Sequence, residues 1–151
     1  MSANHSSVRG VDQKMSLIDK FRKFPLFCRK SYMFESRKVF VTETIENVQF
    51  HYSIYEMDPL IDSSEMSIDT INRILNVLIS DFYRYDCFII IHGTDTMEHT
   101  STAFSYLIAN LSKPIVFTGS QVPLLYVHND AYNNFYNSLA CIGLFISENN
   151  N

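Results

Sequence analysis

The clearest pattern along the chain begins at residue 67. Ile68, Ile71, Leu75, Leu78, Ile79 and Phe82 recur at helical spacing, and Ser67 stands where an N-cap belongs, so a helix is expected over 68–83. A short run without alternation follows at 87–91, "CFIII", which reads as a strand buried on both faces. Met97, Phe104, Leu107, Ile108 and Leu111 restore a helical period over about 96–111. Pro114 opens the next strand, "IVFT", which ends at Gly119. Asn129 or Asp130 caps a further helix to about 141, and "LFIS" at 144–147 reads as another strand beginning. Upstream the pattern is looser. Met15, Ile18, Phe21 and Phe24 fit a helix stopped by Pro25, and 38–57 reads as two strand-like pieces around a turn at Glu46 and Asn47. Residues 1–14 are polar and read as a disordered tail.

Strand–helix–strand–helix order with unalternating strands predicts an α/β fold: three layers, a mostly parallel sheet, helices on both faces. The organised part is expected over 15–148, as one domain. The chain closes on "ENNN" just as a strand is read to begin, which predicts a truncated domain.

A net charge of −4 argues against nucleic acid or an anionic membrane as partner. No apolar stretch of about 18 residues is present to span a bilayer, and the N-terminus lacks the apolar core of a signal peptide. Cys28, Cys87 and Cys141 are odd in number and widely spaced. Cys87 and Cys141 lie in apolar contexts and read as reduced core residues, which points to the cytoplasm. No His/Cys cluster suggests a metal, and no cofactor is implied.

Open α/β sheets bind ligands beyond the carboxyl ends of their strands. Two polar segments fall at such ends, "HGTDT" (92–96) and "TGSQ" (118–121), and sequential parallel strands are usually neighbours, so both should face one crevice. Gly93 lets backbone approach a ligand closely. A cap needs one residue, yet Thr94, Asp95 and Thr96 are consecutive before the helix, with His92 read as orienting the loop. "IDSSEM" (61–66) precedes the helix capped by Ser67; taken alone it reads as a plain Ser-rich loop, and by the same logic it can face the same crevice.

These segments resemble the type I (cytoplasmic-type) L-asparaginase family. "HGTDTM", a Thr-rich helix, "KP", "TGSQ", "DSSEM" and "NDAYNN" match its pattern in order and spacing, strongly over about 57–145 and weakly back to "LIDKFRKFPLF". The resemblance implies an asparaginase N-terminal domain, Rossmann- or flavodoxin-like, and hydrolysis of asparagine to aspartate and ammonia through a threonine acyl-enzyme. It places Thr94 and Asp95 in a Thr–Asp–Lys proton relay, with Asp95 also suited to the substrate's ammonium. Asp62, Ser63 and Ser64 match the loop that binds the substrate's α-carboxylate. Ser120 matches the position whose backbone carbonyl receives the substrate amide. Full-length members are homo-oligomers.

The chain departs from that pattern in three ways. It holds no "TGGTI" segment, where the family carries its other threonine on a first strand. The relay lysine lies further downstream in the family. Lys113 is no substitute, because a helix of about 15 residues carries the chain roughly 20 Å back to the opposite end of the sheet. Lys113 reads instead as a cation at a helix C-terminus. The family's small second domain has no counterpart. A non-catalytic relative or fragment is therefore the alternative function. The ammonia-releasing subunit of a glutamyl-tRNA amidotransferase ranks below it, since its N-terminal barrel has no match in 1–50.

Overall fold

The computed structural model describes residues 15–108 and 111–149, so the polar tail expected over 1–14 lies outside the described residues. Helix α1 (Leu17–Phe21) is a single turn capped by Ser16, whose hydroxyl accepts from the Asp19 N–H. The first amide of α1, at Leu17, donates to the Glu56 carboxylate. Strands β1 (Lys30–Phe34), β2 (Arg37–Ile45) and β3 (Val48–Tyr52) form an antiparallel meander. The Glu46–Asn47 turn expected from sequence joins β2 to β3, and both residues take positive φ. A second turn of the same kind, Glu35–Ser36, creates β1. Sequence reading missed β1, because its turn lacks Gly or Asn and all five of its residues are exposed, leaving no alternation to detect.

Helix α2 (Ile68–Asp81), strand β4 (Phe88–Ile91), helix α3 (Met97–Leu107), strand β5 (Ile115–Thr118) and helix α4 (Ala131–Asn149) follow. The class is α/β as expected, but the pairing differs from a mostly parallel sheet. Among the described residues only β4 and β5 pair in parallel, and they form a two-stranded unit apart from the meander. Two-residue turns can join only antiparallel neighbours, which fixes the character of 30–52 locally. Alternation along β5 decides where the flanking helices sit. Val116 packs into the cluster containing Phe135 and Leu139 of α4, while Phe117 meets Phe104 of α3 at 5.2 Å between ring centroids. Successive strand residues point to opposite faces, so α3 and α4 cover opposite faces of β5.

Three other expectations change. The run "LFIS" belongs to α4, because Phe135, Leu139, Ile142 and Ile146 carry one helical stripe through it. A short apolar run cannot by itself distinguish strand from helix. The inward face of α2 is rotated: Ile68 and Ile79 are exposed, while Thr70 and Asp81 are buried. Each buried polar residue has its partner, Ser67 for Thr70 and Arg37 for Asp81. Cys141 is exposed rather than in the core. Cys87 is half-buried beside the core, and burial with Asp86 nearby pushes its thiol up to about 11, so it stays protonated at neutral pH.

The core is aromatic. Phe135 meets Phe21 edge-on at 4.6 Å and Phe27 at 4.9 Å, joining α1, the segment after it and α4. Replacing Phe135 by Ala should cost about 3–5 kcal/mol of stability, because one ring supports both contacts. Denaturant unfolding measures this, and a loss below about 1 kcal/mol would place the core elsewhere.

Candidate functional site

Strands β4 and β5 end level with each other. Ile91 stands opposite Thr118, and the His92 N–H donates to the Thr118 carbonyl at 2.8 Å. The segments 92–96 and 118–121 therefore start side by side, as expected of one crevice. Gly119 makes this approach sterically feasible. A Cβ there would overlap the His92 carbonyl oxygen and come 3.5 Å from the Thr94 methyl. Beneath these ends lies a cavity of about 150 Å³ lined by Leu17, Phe21, Ile91, Thr118 and Ser120. Ile91 is 48% exposed there, so the strand read as wholly buried is open at its functional end.

The loop before α2 closes the crevice from another side. Asp62 caps a short 3-10 turn, Ser63–Glu65, and its Oδ1 accepts from the Ser64 N–H at 3.0 Å and the Ser64 hydroxyl at 2.8 Å. Ser63 is buried and works as a staple. Its Oγ accepts from the Asp95 N–H at 3.3 Å, and its carbonyl accepts from the Thr96 hydroxyl at 2.7 Å. Gly93 has no Cβ because the Ser63 side chain fills that space; a Cβ would lie 2.7 Å from the Ser63 Cβ. The glycine thus serves loop-to-loop contact, where sequence reading assigned it to ligand approach.

Routine helix capping does not explain the Thr–Asp–Thr run. Thr96 occupies the N-cap position of α3, yet its side chain makes no cap hydrogen bond, being committed to Ser63. The first-turn N–H groups of α3 therefore receive no cap from the Thr96 side chain. Thr94 is half-buried and Asp95 is exposed beside them. His92 is buried, and its Nδ1 lies 2.6 Å from the Gly93 carbonyl. A carbonyl only accepts, so Nδ1 carries the proton and the ring orients the loop, as its position suggested.

Two residues of this assembly were not singled out from sequence. The Asp130 carboxylate accepts from the N–H groups of Gln121 at 2.9 Å and Val122 at 2.8 Å. Those backbone donors hold its pKa below the ordinary carboxylate range. Asn134, one helical turn on, donates to the Gly119 carbonyl at 2.8 Å. Asn129, not Asp130, provides the helix cap, accepting from the Tyr132 N–H at 2.9 Å. The available signal was the i, i+4 spacing within "NDAYNN", which puts both side chains on one face of the first turn. Lys113 is excluded from the crevice. Its Nζ donates to the Phe82 and Tyr85 carbonyls at 2.6 and 2.8 Å, where α2 ends. It is a C-terminal cation, but of α2 rather than of the helix preceding it.

Two predictions follow from these contacts. Gly119→Ala should destabilise the chain by about 1–3 kcal/mol, since the His92 carbonyl belongs to a paired strand end and cannot move freely. Equal unfolding midpoints for the two proteins would show that it can. The lowered pKa of Asp130 also has a definite sign. A depressed carboxylate contributes stability above its unfolded value, about 3.9, and loses it as pH falls through the lower folded value. The protection of the Gln121 and Val122 amides, taken relative to their intrinsic exchange rates, should therefore persist through the ordinary aspartate range and fall only on further acidification.

Comparison with known proteins places this geometry in a family. The family model "Asparaginase, N-terminal" matches residues 10–149. L-asparaginase 1 of Escherichia coli (strain K12) is 41% identical over 88 residues, 58% of this chain and 26% of that protein. The 60 kDa lysophospholipase of Mus musculus is 36% identical over 95 residues, 63% of this chain and 17% of that protein. The crystal structure of L-asparaginase I from Vibrio cholerae O1 biovar eltor superposes with a TM-score of 0.58 at 42% identity, covering 59% of this chain and 27% of that one. The chain thus spans about a quarter or less of the length of these relatives. With the match extending over nearly all of its residues, the chain belongs to the asparaginase family, in the part that corresponds to the N-terminal domain.

Proposed function

We propose that residues 15–148 form part of a three-layer asparaginase N-terminal domain whose crevice takes L-asparagine and serves its hydrolysis to aspartate and ammonia. The observation that carries this reading is the convergence of three loops at one strand end. Gly119 lies against the His92 carbonyl and beside Thr94, while Ser63 lies under Asp95.

The roles follow from chemistry. A threonine hydroxyl attacks the carboxamide carbon, the tetrahedral adduct expels ammonia with the hydroxyl proton, and water hydrolyses the ester to aspartate. A hydroxyl needs its proton removed at neutral pH, and Thr94 with Asp95 is assigned to that relay. Asp95 is also available to the substrate's ammonium. The loop of Asp62, Ser63 and Ser64, with the uncapped N-terminus of α3, is assigned to the α-carboxylate, Ser63 through the loop it staples and Asp62 through the hold it keeps on Ser64. The Ser120 carbonyl is assigned to the carboxamide N–H. No described helix is long and apolar enough to cross a membrane. All three cysteines are free, which fits a cytoplasmic protein, and homo-oligomeric assembly is carried over from the family resemblance alone.

A second reading is a family member that binds without turning over. Lys113 is the only lysine after Lys38, and it is committed to the end of α2, so Lys113 does not fill the lysine position of the Thr94–Asp95 relay. One assay separates the two readings. Ammonia release from L-asparagine that falls about 10²–10⁴-fold in Thr94→Ala and in Asp95→Asn supports hydrolysis through these residues. Turnover unaffected by either substitution rejects the assignment, and asparagine binding without ammonia release supports the second reading.

A further inference from the structure

The loop after β5 is gripped from one side. Asp130 holds the N–H groups of Gln121 and Val122 through its two carboxylate oxygens. Asn134 holds the Gly119 carbonyl, and its same amide nitrogen lies 3.3 Å from Asp130 Oδ2, so the two side chains also brace each other. The peptide bonds of this loop are trans; the cis bond of the described residues is Asp58–Pro59. In a trans peptide the N–H and the C=O point in opposite directions. Turning the Gln121 N–H toward Asp130 therefore turns the Ser120 carbonyl away from it. Turning the Gly119 carbonyl toward Asn134 turns the Ser120 N–H away as well. Two side chains on one helical turn thus fix both peptide planes flanking Ser120 without touching Ser120's own main-chain groups.

We propose that Asp130 and Asn134 are positioning residues for amide selectivity, holding the Ser120 carbonyl and N–H as an acceptor–donor pair that matches a carboxamide and disfavours a carboxylate. The proposal rests on the assignment of Ser120 to the substrate amide made above. A carboxamide offers one donor and one acceptor, which is the complement of that pair. A carboxylate offers only acceptors, so one oxygen would face the Ser120 carbonyl, lone pair against lone pair. The grip has the character such a task needs. It is built from main-chain donors on a carboxylate that stays ionised at neutral pH, and it is anchored on α4, a regular element continuous with the core.

Two-dimensional ¹⁵N NMR of the 151-residue chain, titrated separately with L-asparagine and L-aspartate, tests this. The unsubstituted chain should bind asparagine more tightly than aspartate. Its Ser120 amide should shift on adding asparagine, while Gln121 and Val122 keep their exchange protection. In Asp130→Asn and Asn134→Asp, which keep side-chain size but reverse a donor or an acceptor, the preference should shrink about tenfold, the worth of one hydrogen bond. Thermal unfolding distinguishes this from a general loss of fold. A preference that survives in a folded Asp130→Asn chain overturns this inference alone. A perturbation by asparagine that reaches neither the Ser120 amide nor the Gln121 amide, whose peptide carries the Ser120 carbonyl, overturns the assignment of Ser120 and this inference with it. No preference in the unsubstituted chain overturns the assignment of Ser120, and this inference with it.

Discussion

The site depends on a steric constraint before it depends on any charge. Three backbone segments must meet at the ends of β4 and β5, and each meeting point lacks a side chain on one partner. Gly119 makes room for the His92 carbonyl, and Gly93 makes room for Ser63. Neither glycine takes a positive φ, so turn geometry does not require them. What requires them is proximity. Once the segments touch, the remaining polar contacts have their geometry set: the His92 N–H reaches Thr118, the Asp95 N–H reaches Ser63 Oγ, and the Thr96 hydroxyl reaches the Ser63 carbonyl.

Ser63 shows how this constraint divides labour within a short motif. Of the two adjacent serines, one is buried as a structural staple and the other is exposed at the rim. The sequence "DSS" presents them as equivalent. The difference arises only when Gly93 approaches and consumes the first. Likewise the two threonines around Asp95 diverge. Thr96 donates to a carbonyl in another loop, while Thr94 is half-buried with its methyl next to Gly119.

How much of this the sequence disclosed follows from what kind of information each feature carries. Helix α2, the β4–β5 pair and the Glu46–Asn47 turn were legible because period, strand length and turn residues are local. The common end of β4 and β5 was legible because parallel neighbours in sequence order leave few alternatives. β1 was hidden, since an edge strand exposed along its length has no hydrophobic pattern. The end of α4 was misread because "LFIS" is equally apolar under either period; burial of Ile142 and packing of Ile146 decide it. The separation of the meander from the parallel pair is a matter of long-range pairing, which local pattern does not encode.

The two aspartates near the crevice make the same point for chemistry. Both sit in segments that carry the resemblance, Asp95 in "HGTDTM" and Asp130 in "NDAYNN", which also looks like an ordinary helix start. Yet the strongest hydrogen-bonding environment described for either carboxylate belongs to Asp130, whose oxygens are occupied by two loop amides and Asn134. A carboxylate so occupied is a poor proton acceptor and a good anchor, because its lone pairs are already committed and its ionised form is favoured. An exposed carboxylate beside an uncapped helix N-terminus is the better candidate for contact with substrate. What makes Asp130 an anchor is therefore the protein backbone that supplies its donors, rather than its residue type or its distance along the chain.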